Sequence, residues 1–223
     1  MPLLEIACFN VESALIAQTS GADRIELCKD QQLGGTTPLL PDFLELKKNV
    51  EIPVNVMIRP RGGNFVYVNE ELQQMEKELG MFIKAGTDGF VFGILDEGKV
   101  DVERCRYLVE KAKGRPCTFH RAFDEIAEDD MLEQLVVLIE CGFRAVLTSG
   151  GKKNAVEGSE VLKKVVDAAN GRIDVIVGGG VRSTNLQVLK EDTGAGTFHS
   201  SAIVAGGEVA SKEEVMALKI LVK

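Results

Sequence analysis

Five times in this chain a glycine closes a helix-like stretch and opens a short apolar strand. The segments are Gly21–Cys28, Gly86–Gly93, Gly142–Gly150, Gly171–Gly178 and Gly194–Ser200, and each strand ends in polar or glycine residues. Glycine tolerates the left-handed conformation that ends a helix, so one helix-to-strand connection is being reused. Strands that alternate with helices in this way form a parallel sheet. Chemistry then collects in the loops at the carboxyl ends of the strands.

The pattern extends to eight strands: Leu3–Cys8, Arg24–Leu27, Val54–Arg59, Gly89–Phe92, Cys117–His120, Ala145–Thr148, Ile173–Val177 and Thr197–His199. Helical patterns cover Val11–Thr19, Asp42–Asn49, Asn69–Lys84, Asp101–Lys113, Asp130–Glu140, Ala155–Ala169, Thr184–Lys190 and Ser211–Leu221. Ser211 and Glu214 have the spacing of a capping box. Eight units of similar length fit a closed barrel better than an open doubly wound sheet. The expected fold class is α/β, a single-domain (β/α)8 TIM barrel over residues 1–223, with no linker or low-complexity tract. At 223 residues and 45% apolar content, the chain can bury one core of that size.

Several function classes are disfavoured at once. A net charge of −8 argues against nucleic acid as a partner, since its binders carry a basic stripe. No stretch approaches the ~18 apolar residues of a membrane helix, so no membrane partner is expected. Met1–Asn10 lacks the basic flank of a signal peptide and reads as the first strand. Cys8, Cys28, Cys105, Cys117 and Cys141 are odd in number and widely spaced, which suits a reduced, cytoplasmic setting.

Side chains alternate faces along a strand, so parity separates the barrel lumen from the helix-facing shell. A carboxylate is unfavourable against apolar helices, which turns Glu5 and Ala7 inward and Leu4, Ile6 and Cys8 outward. The same logic turns Glu26, Cys28, Asn55, Met57, Arg59, Thr118, His120, Thr197 and His199 inward. The lumen therefore gathers Glu5, Glu26, Arg59, His120 and His199. His120 and His199 are the chain's two histidines, and both fall at strand ends. The carboxylates could serve as buried partners of Arg59. They also suit acid/base work, with Glu26, His120, Glu5 and His199 as the catalytic candidates. His/Glu groups can hold a metal as well, although no HxH-type spacing is present.

A second set of residues prefers anions. Arg59-Pro-Arg61-Gly-Gly63, Ser149-Gly-Gly151 and Gly178-Gly-Gly-Val-Arg182 each come directly after a strand. Glycine lets backbone N–H groups approach a ligand, and arginine offers a forked donor to carboxylate or phosphate. The loop after the seventh barrel strand often seats a phosphate, a place matched by Gly178–Gly180 with His199-Ser200-Ser201. Tight turns that exclude a Cβ would account for the same glycines. The anion-binding candidates are Arg59, Arg61, Arg121, Asp124, Ser149, Gly179, Gly180, Arg182 and Ser200.

Cysteine suggests a softer ligand, since thiolates favour Cu(I) or zinc. Cys8 and Cys28 end adjacent strands, whose lateral spacing is about 5 Å. Parity places Cys28 inward and Cys8 outward. Core packing is the alternative role for each, and the expected one for Cys105, Cys117 and Cys141.

Ile25-Glu-Leu-Cys28, Gly34-Gly-Thr-Thr-Pro38, Met57-Ile-Arg-Pro-Arg-Gly-Gly63, Thr118-Phe-His-Arg-Ala-Phe-Asp124, Leu147-Thr-Ser-Gly-Gly151, Gly178-Gly-Gly-Val-Arg182 and Phe198-His-Ser-Ser201 together resemble the CutC copper-homeostasis family. The resemblance runs through nearly the whole chain, in order. It implies a TIM barrel, a cytoplasmic location, a homo-oligomer (dimer or tetramer) and an association with copper. It also implies a copper pair made of a cysteine ending the first strand and the cysteine of the Ile-Glu-Leu-Cys run. Cys28 matches the second position; the first falls on Ala7, with Cys8 one place later.

Two functions stand as expectations. One is a copper-homeostasis protein that binds Cu(I) through Cys28 with Cys8. The other is an enzyme of lyase, isomerase or hydrolase type, acting on a small anionic or phosphorylated metabolite at the C-terminal rim.

Overall fold

Short runs of valine, isoleucine, leucine and phenylalanine build the sheet, because stiff apolar side chains suit strands buried on both faces. In the computed structural model, which describes residues 2–223, eight such strands close into a parallel barrel. They are β1 (Leu3–Cys8), β2 (Arg24–Leu27), β3 (Val54–Met57), β4 (Gly89–Phe92), β5 (Cys117–Phe119), β6 (Ala145–Thr148), β7 (Asp174–Val177) and β8 (Thr197–Ser200). Each pairs with its sequence neighbour, and β8 pairs back onto β1 with Glu5 opposite His199. A small antiparallel ribbon, Leu95–Asp96 with Lys99–Val100, leaves the rim after β4.

The outer layer consists of α1 (Val11–Thr19), α2 (Leu40–Leu46), α3 (Asn69–Ala85), α4 (Val102–Lys111), α5 (Met131–Cys141), α6 (Ser159–Ala169), α7 (Leu186–Thr193) and α8 (Lys212–Val222). The recurring glycines Gly21, Gly86, Gly142, Gly171 and Gly194 all have φ between +68° and +96°, which is why that position repeats. Asn10, Asp101 and Ser211 cap α1, α4 and α8, their side chains accepting the first-turn N–H of Ser13, Arg104 and Glu214. No helix among the described residues is long and apolar enough to cross a membrane.

The main core lies between sheet and helices, where Leu4, Ile6, Ile25, Leu27 and Val56 meet Phe43, Leu79 and Phe82. Phe43 and Phe82 pack edge to face at 5.5 Å, and truncating either would cost about 3–5 kcal/mol. Inside the barrel, Ala145, Leu147 and Ile176 form a small apolar plug. A second cluster joins Cys28, Met57 and Val91 to Phe9.

Several boundaries move, each for a local reason. β3 stops at Met57 because Arg59 turns to the preceding loop, donating its N–H to Thr37 Oγ1 and accepting from Thr37 N. β5 stops at Phe119 because His120 caps a short 3-10 turn over Arg121–Glu125. α2 begins at Leu40, with Pro41 in its first turn, where a missing N–H costs nothing. α6 begins at Ser159, since Ala155 donates instead to Gly179 O. Only half of the α8 capping box forms, because the Glu214 carboxylate accepts from Ser183.

Candidate functional site

Neighbouring strands place four charged side chains in the lumen. Glu5 on β1 is in register with both Arg24 on β2 and His199 on β8. Arg24 Nε donates to Glu5 Oε2 at 2.5 Å, and His199 Nδ1 lies 2.8 Å from Glu5 Oε1. Burial alone would raise the Glu5 pKa; the charge of Arg24 and the bond to His199 outweigh it and hold the carboxyl at about 2. Burial opposes the charge on His199, but Glu26 and Glu5 together raise its pKa, which favours an ion pair between Glu5 and His199.

Glu26 is different. It is buried, its Oε2 has no partner among the described residues, and it lines the open upper lumen. Burial, with the nearby charge of Glu5, pushes its pKa up to about 7 against the pull of His199 and Arg24. Ligand atoms of Glu5, Glu26 and His199 lie within 4.8 Å of one another. A carboxyl held near neutrality can both take and give a proton.

Above this cluster the barrel mouth holds a cavity of about 220 Å³, walled by Glu26, Cys28, Met57, Arg59, Phe65, His120, Arg121, Gly179, Gly180, Arg182, His199 and Ser200, among others. His120 sits against Phe65 with ring centroids 4.7 Å apart. Gly93 makes room for it, as a Cβ there would come within 2.7 Å of the imidazole Nδ1. Ala122 N donates to that Nδ1 at 3.2 Å, while Nε2 is buried without a partner among the described residues. Burial, then the charge of Arg59, lower the His120 pKa to about 3, so the ring is neutral.

The residues expected to favour anions separate into two groups. Gly179, Gly180, Arg121, Arg182 and Ser200 line the cavity. Gly179 has φ +92°, and a Cβ there would meet Ser149 Cβ at 2.9 Å, so both conformation and space require glycine. The Gly179 and Gly180 amides donate no hydrogen bond within the described residues, whereas Gly178 N is taken by Thr148 O. Arg121 Nη2 donates to Ser149 Oγ and its Nε to Asp124, with nearly half the side chain exposed. Arg182 braces the loop through Ser200 Oγ and the carbonyls of Val181 and Ile203.

The other group is occupied elsewhere. Arg61 is absent from the cavity wall; it pairs with Glu71 and lies over the Tyr67 ring. Arg59 lines the wall, but its guanidinium donates to the carbonyls of Leu33, Gly35 and Gly63 and covers Phe65. Asp124 accepts from Thr148 Oγ1, Ser149 N, Ser149 Oγ, Gly151 N and Arg121, so it staples the rim and offers an anion nothing. Ser149 is wholly buried in that staple.

Parity between the cysteines holds, and it separates them. Cys28 faces the cavity, while Cys8 belongs to the helix-facing core with its Sγ directed at Ile6 O. Burial raises both thiol pKa values well above the ordinary range, with the Glu26 charge adding to the effect. The two thiols thus lie on opposite faces of the sheet, as strand parity predicts. Cys28 and the Met57 thioether do share one apolar cluster on the cavity wall.

Sequence reasoning passed over three residues here. Arg24 has the same parity as Glu26, and that alternation could have found it. Asp174 accepts from Thr197 Oγ1 lower in the lumen and is likewise legible from β7. Phe65 comes from a loop and carried no signal.

The CutC family profile matches residues 2–204 of the chain. The chain belongs to the CutC family. It is 45% identical over 201 residues to the copper homeostasis protein cutC homolog of Homo sapiens, across 90% of this chain and 73% of that one. It is 38% identical over 210 residues to a CutC family protein of Treponema denticola, across 94% and 85%. The crystal structure of CutC from Streptococcus agalactiae superposes with a TM-score of 0.85 at 35% identity, across 90% of this chain and 99% of that one.

Proposed function

We propose that this CutC-family protein is an enzyme whose lumen site binds a small anionic metabolite and moves a proton on it. The observation that carries the reading is Glu26, a buried carboxyl without a hydrogen-bond partner for Oε2 among the described residues, facing a cavity and held near pKa 7. An unsatisfied buried polar group costs about 1–3 kcal/mol, and a substrate that hydrogen-bonds to it would offset that cost. The free Gly179 and Gly180 amides and the Arg121 guanidinium supply the anion-seeking end of the site. At about 220 Å³ the cavity falls below the ~300 Å³ of a drug-sized pocket, which favours a metabolite of few carbons.

Calorimetric titration with inorganic phosphate, phosphoglycolate and small dicarboxylates tests the proposal. Binding by at least one of these, weakened about tenfold or more in Arg121→Gln, supports it. No heat and no rise in melting temperature with any of them would sink it.

A second reading is favoured by one observation, the pairing of Cys28 with Met57 on the cavity wall. Soft sulfur donors suit Cu(I), and named relatives are copper homeostasis proteins. On this reading the protein buffers or delivers copper in the reducing cytoplasm. A Cu(I) competition titration decides it: tight one-to-one binding lost in Cys28→Ser supports the copper role, and equal weak binding in both proteins removes it.

A further inference from the structure

We propose that the site catalyses enolisation of a three- or four-carbon hydroxycarbonyl phosphate, with Glu26 as base and the His120 Nε2–H as donor to the carbonyl oxygen. The inference rests on the acid/base reading of the same cavity and adds the reaction and the substrate class.

The tautomer of His120 is set by its neighbours. Ala122 N–H occupies the Nδ1 lone pair, so the ring proton resides on Nε2. That N–H is buried and unpartnered among the described residues, on a side chain 3% exposed that lines the cavity. Phe65 on one side and Gly93 behind fix the ring plane. Arg59 nearby and the burial itself keep the imidazole uncharged, so it donates a hydrogen bond without surrendering a proton.

Glu26 completes the pair. β2 and β5 stand three strand positions apart around the eight-strand ring, and Glu26 and His120 line the same cavity. Both present a buried polar atom that has no partner among the described residues, and each is complementary to one part of a hydroxycarbonyl compound. A carboxylate base and a neutral imidazole donor lining one cavity suit chemistry through an enediolate. Glu5 and His199 are already paired with each other, which leaves Glu26 as the carboxylate available to react. The Gly179 and Gly180 amides with Arg121 then hold the phosphate at the other end.

The step balances without a co-reactant. The C–H bond α to the carbonyl breaks and its proton passes to Glu26 Oε2. The freed electron pair forms the carbon–carbon double bond, and the carbonyl π pair moves onto the oxygen that His120 Nε2–H stabilises. Returning the proton to the same carbon restores the substrate. Returning it to the adjacent carbon, with the hydroxyl proton shifting to the other oxygen, gives the aldose or ketose isomer.

The test incubates the intact protein with dihydroxyacetone phosphate in D2O and tracks the hydroxymethyl proton signal by NMR, with phosphoglycolate displacement as the measure of binding. The expected result is exchange well above the buffer rate, reduced about 100-fold or more in Glu26→Gln and in His120→Ala. His120→Gln, which keeps an N–H donor, should recover part of the rate. An unchanged far-UV circular dichroism spectrum in each variant shows that the fold is intact. If dihydroxyacetone phosphate displaces phosphoglycolate yet exchanges no faster than in buffer, enolisation is wrong and the anion site stands. If neither phosphate compound binds, this inference fails, and the acid/base reading fails with it unless the small dicarboxylates bind.

Discussion

His199 Nδ1 lies 2.8 Å from Glu5 Oε1, joining residues 194 positions apart at the seam where β8 closes onto β1. Arg24 takes the other carboxylate oxygen from the neighbouring strand. One buried carboxylate therefore neutralises cations from both flanks of the first strand, and barrel closure and the charge pattern of the lumen depend on the same residue.

Glu5→Gln would leave the Arg24 and His199 charges buried beside a neutral amide. Removing one partner of a buried pair costs about 3–5 kcal/mol, and urea unfolding at pH 7 should show a loss of that order. An unchanged midpoint would mean the seam does not depend on the ion pair.

Glu5 and Glu26 impose opposite pH dependences. The folded pKa of Glu5, about 2, lies below the unfolded 4.5, so its contribution is complete above pH 4.5 and is lost as pH falls through 2. The folded pKa of Glu26, about 7, lies above 4.5, so its contribution is present below pH 4.5 and is lost as pH rises through 7. Between pH 4.5 and about 8 the wild type should lose about 1–3 kcal/mol relative to Glu26→Gln. Parallel stability curves over that range would contradict the raised carboxyl.

All five cysteines are buried, and burial raises each of their pKa values. With Ellman's reagent at about pH 8, the native protein should expose less than about one thiol within minutes, and the unfolded chain all five. Because Cys8 packs against helices, Cys8→Ala should leave any Cu(I) affinity within about twofold. A tenfold loss would support a two-cysteine site.

Gly93→Ala would place a methyl group against the His120 ring, 2.7 Å from Nδ1. Overpacking of this kind costs about 1–3 kcal/mol, and the displaced ring would lose the Ala122 bond. Proton exchange should drop about tenfold or more, with inorganic phosphate affinity little changed. Equal loss of both would show a general collapse of the rim.

Much of the fold was legible in the sequence, for uneven physical reasons. The glycine repeat specified the barrel because each Gly marks a left-handed helix end. Parity placed Glu5, Glu26, His120 and His199 in the lumen because a strand has only two faces. Arginine was harder: Arg59 and Arg61 sit in glycine-rich signals, but a guanidinium has five donors and spends them on whatever carbonyl or carboxylate the loop brings near. Asp124 reads as an anion-site residue by its place after a strand, yet a loop fold that sequence does not reveal makes it the acceptor for five donors of the rim. The orphaned state of Glu26 and the His120 tautomer are properties of neighbours, visible only in three dimensions.

The most direct measurement is a crystal structure of the protein soaked with phosphoglycolate. The expected result is a phosphate on the Gly179 and Gly180 amides beside Arg121, with the carboxylate lying between Glu26 and His120 Nε2. A cavity still empty at saturating ligand, or a phosphate bound only elsewhere on the surface, would contradict the lumen site.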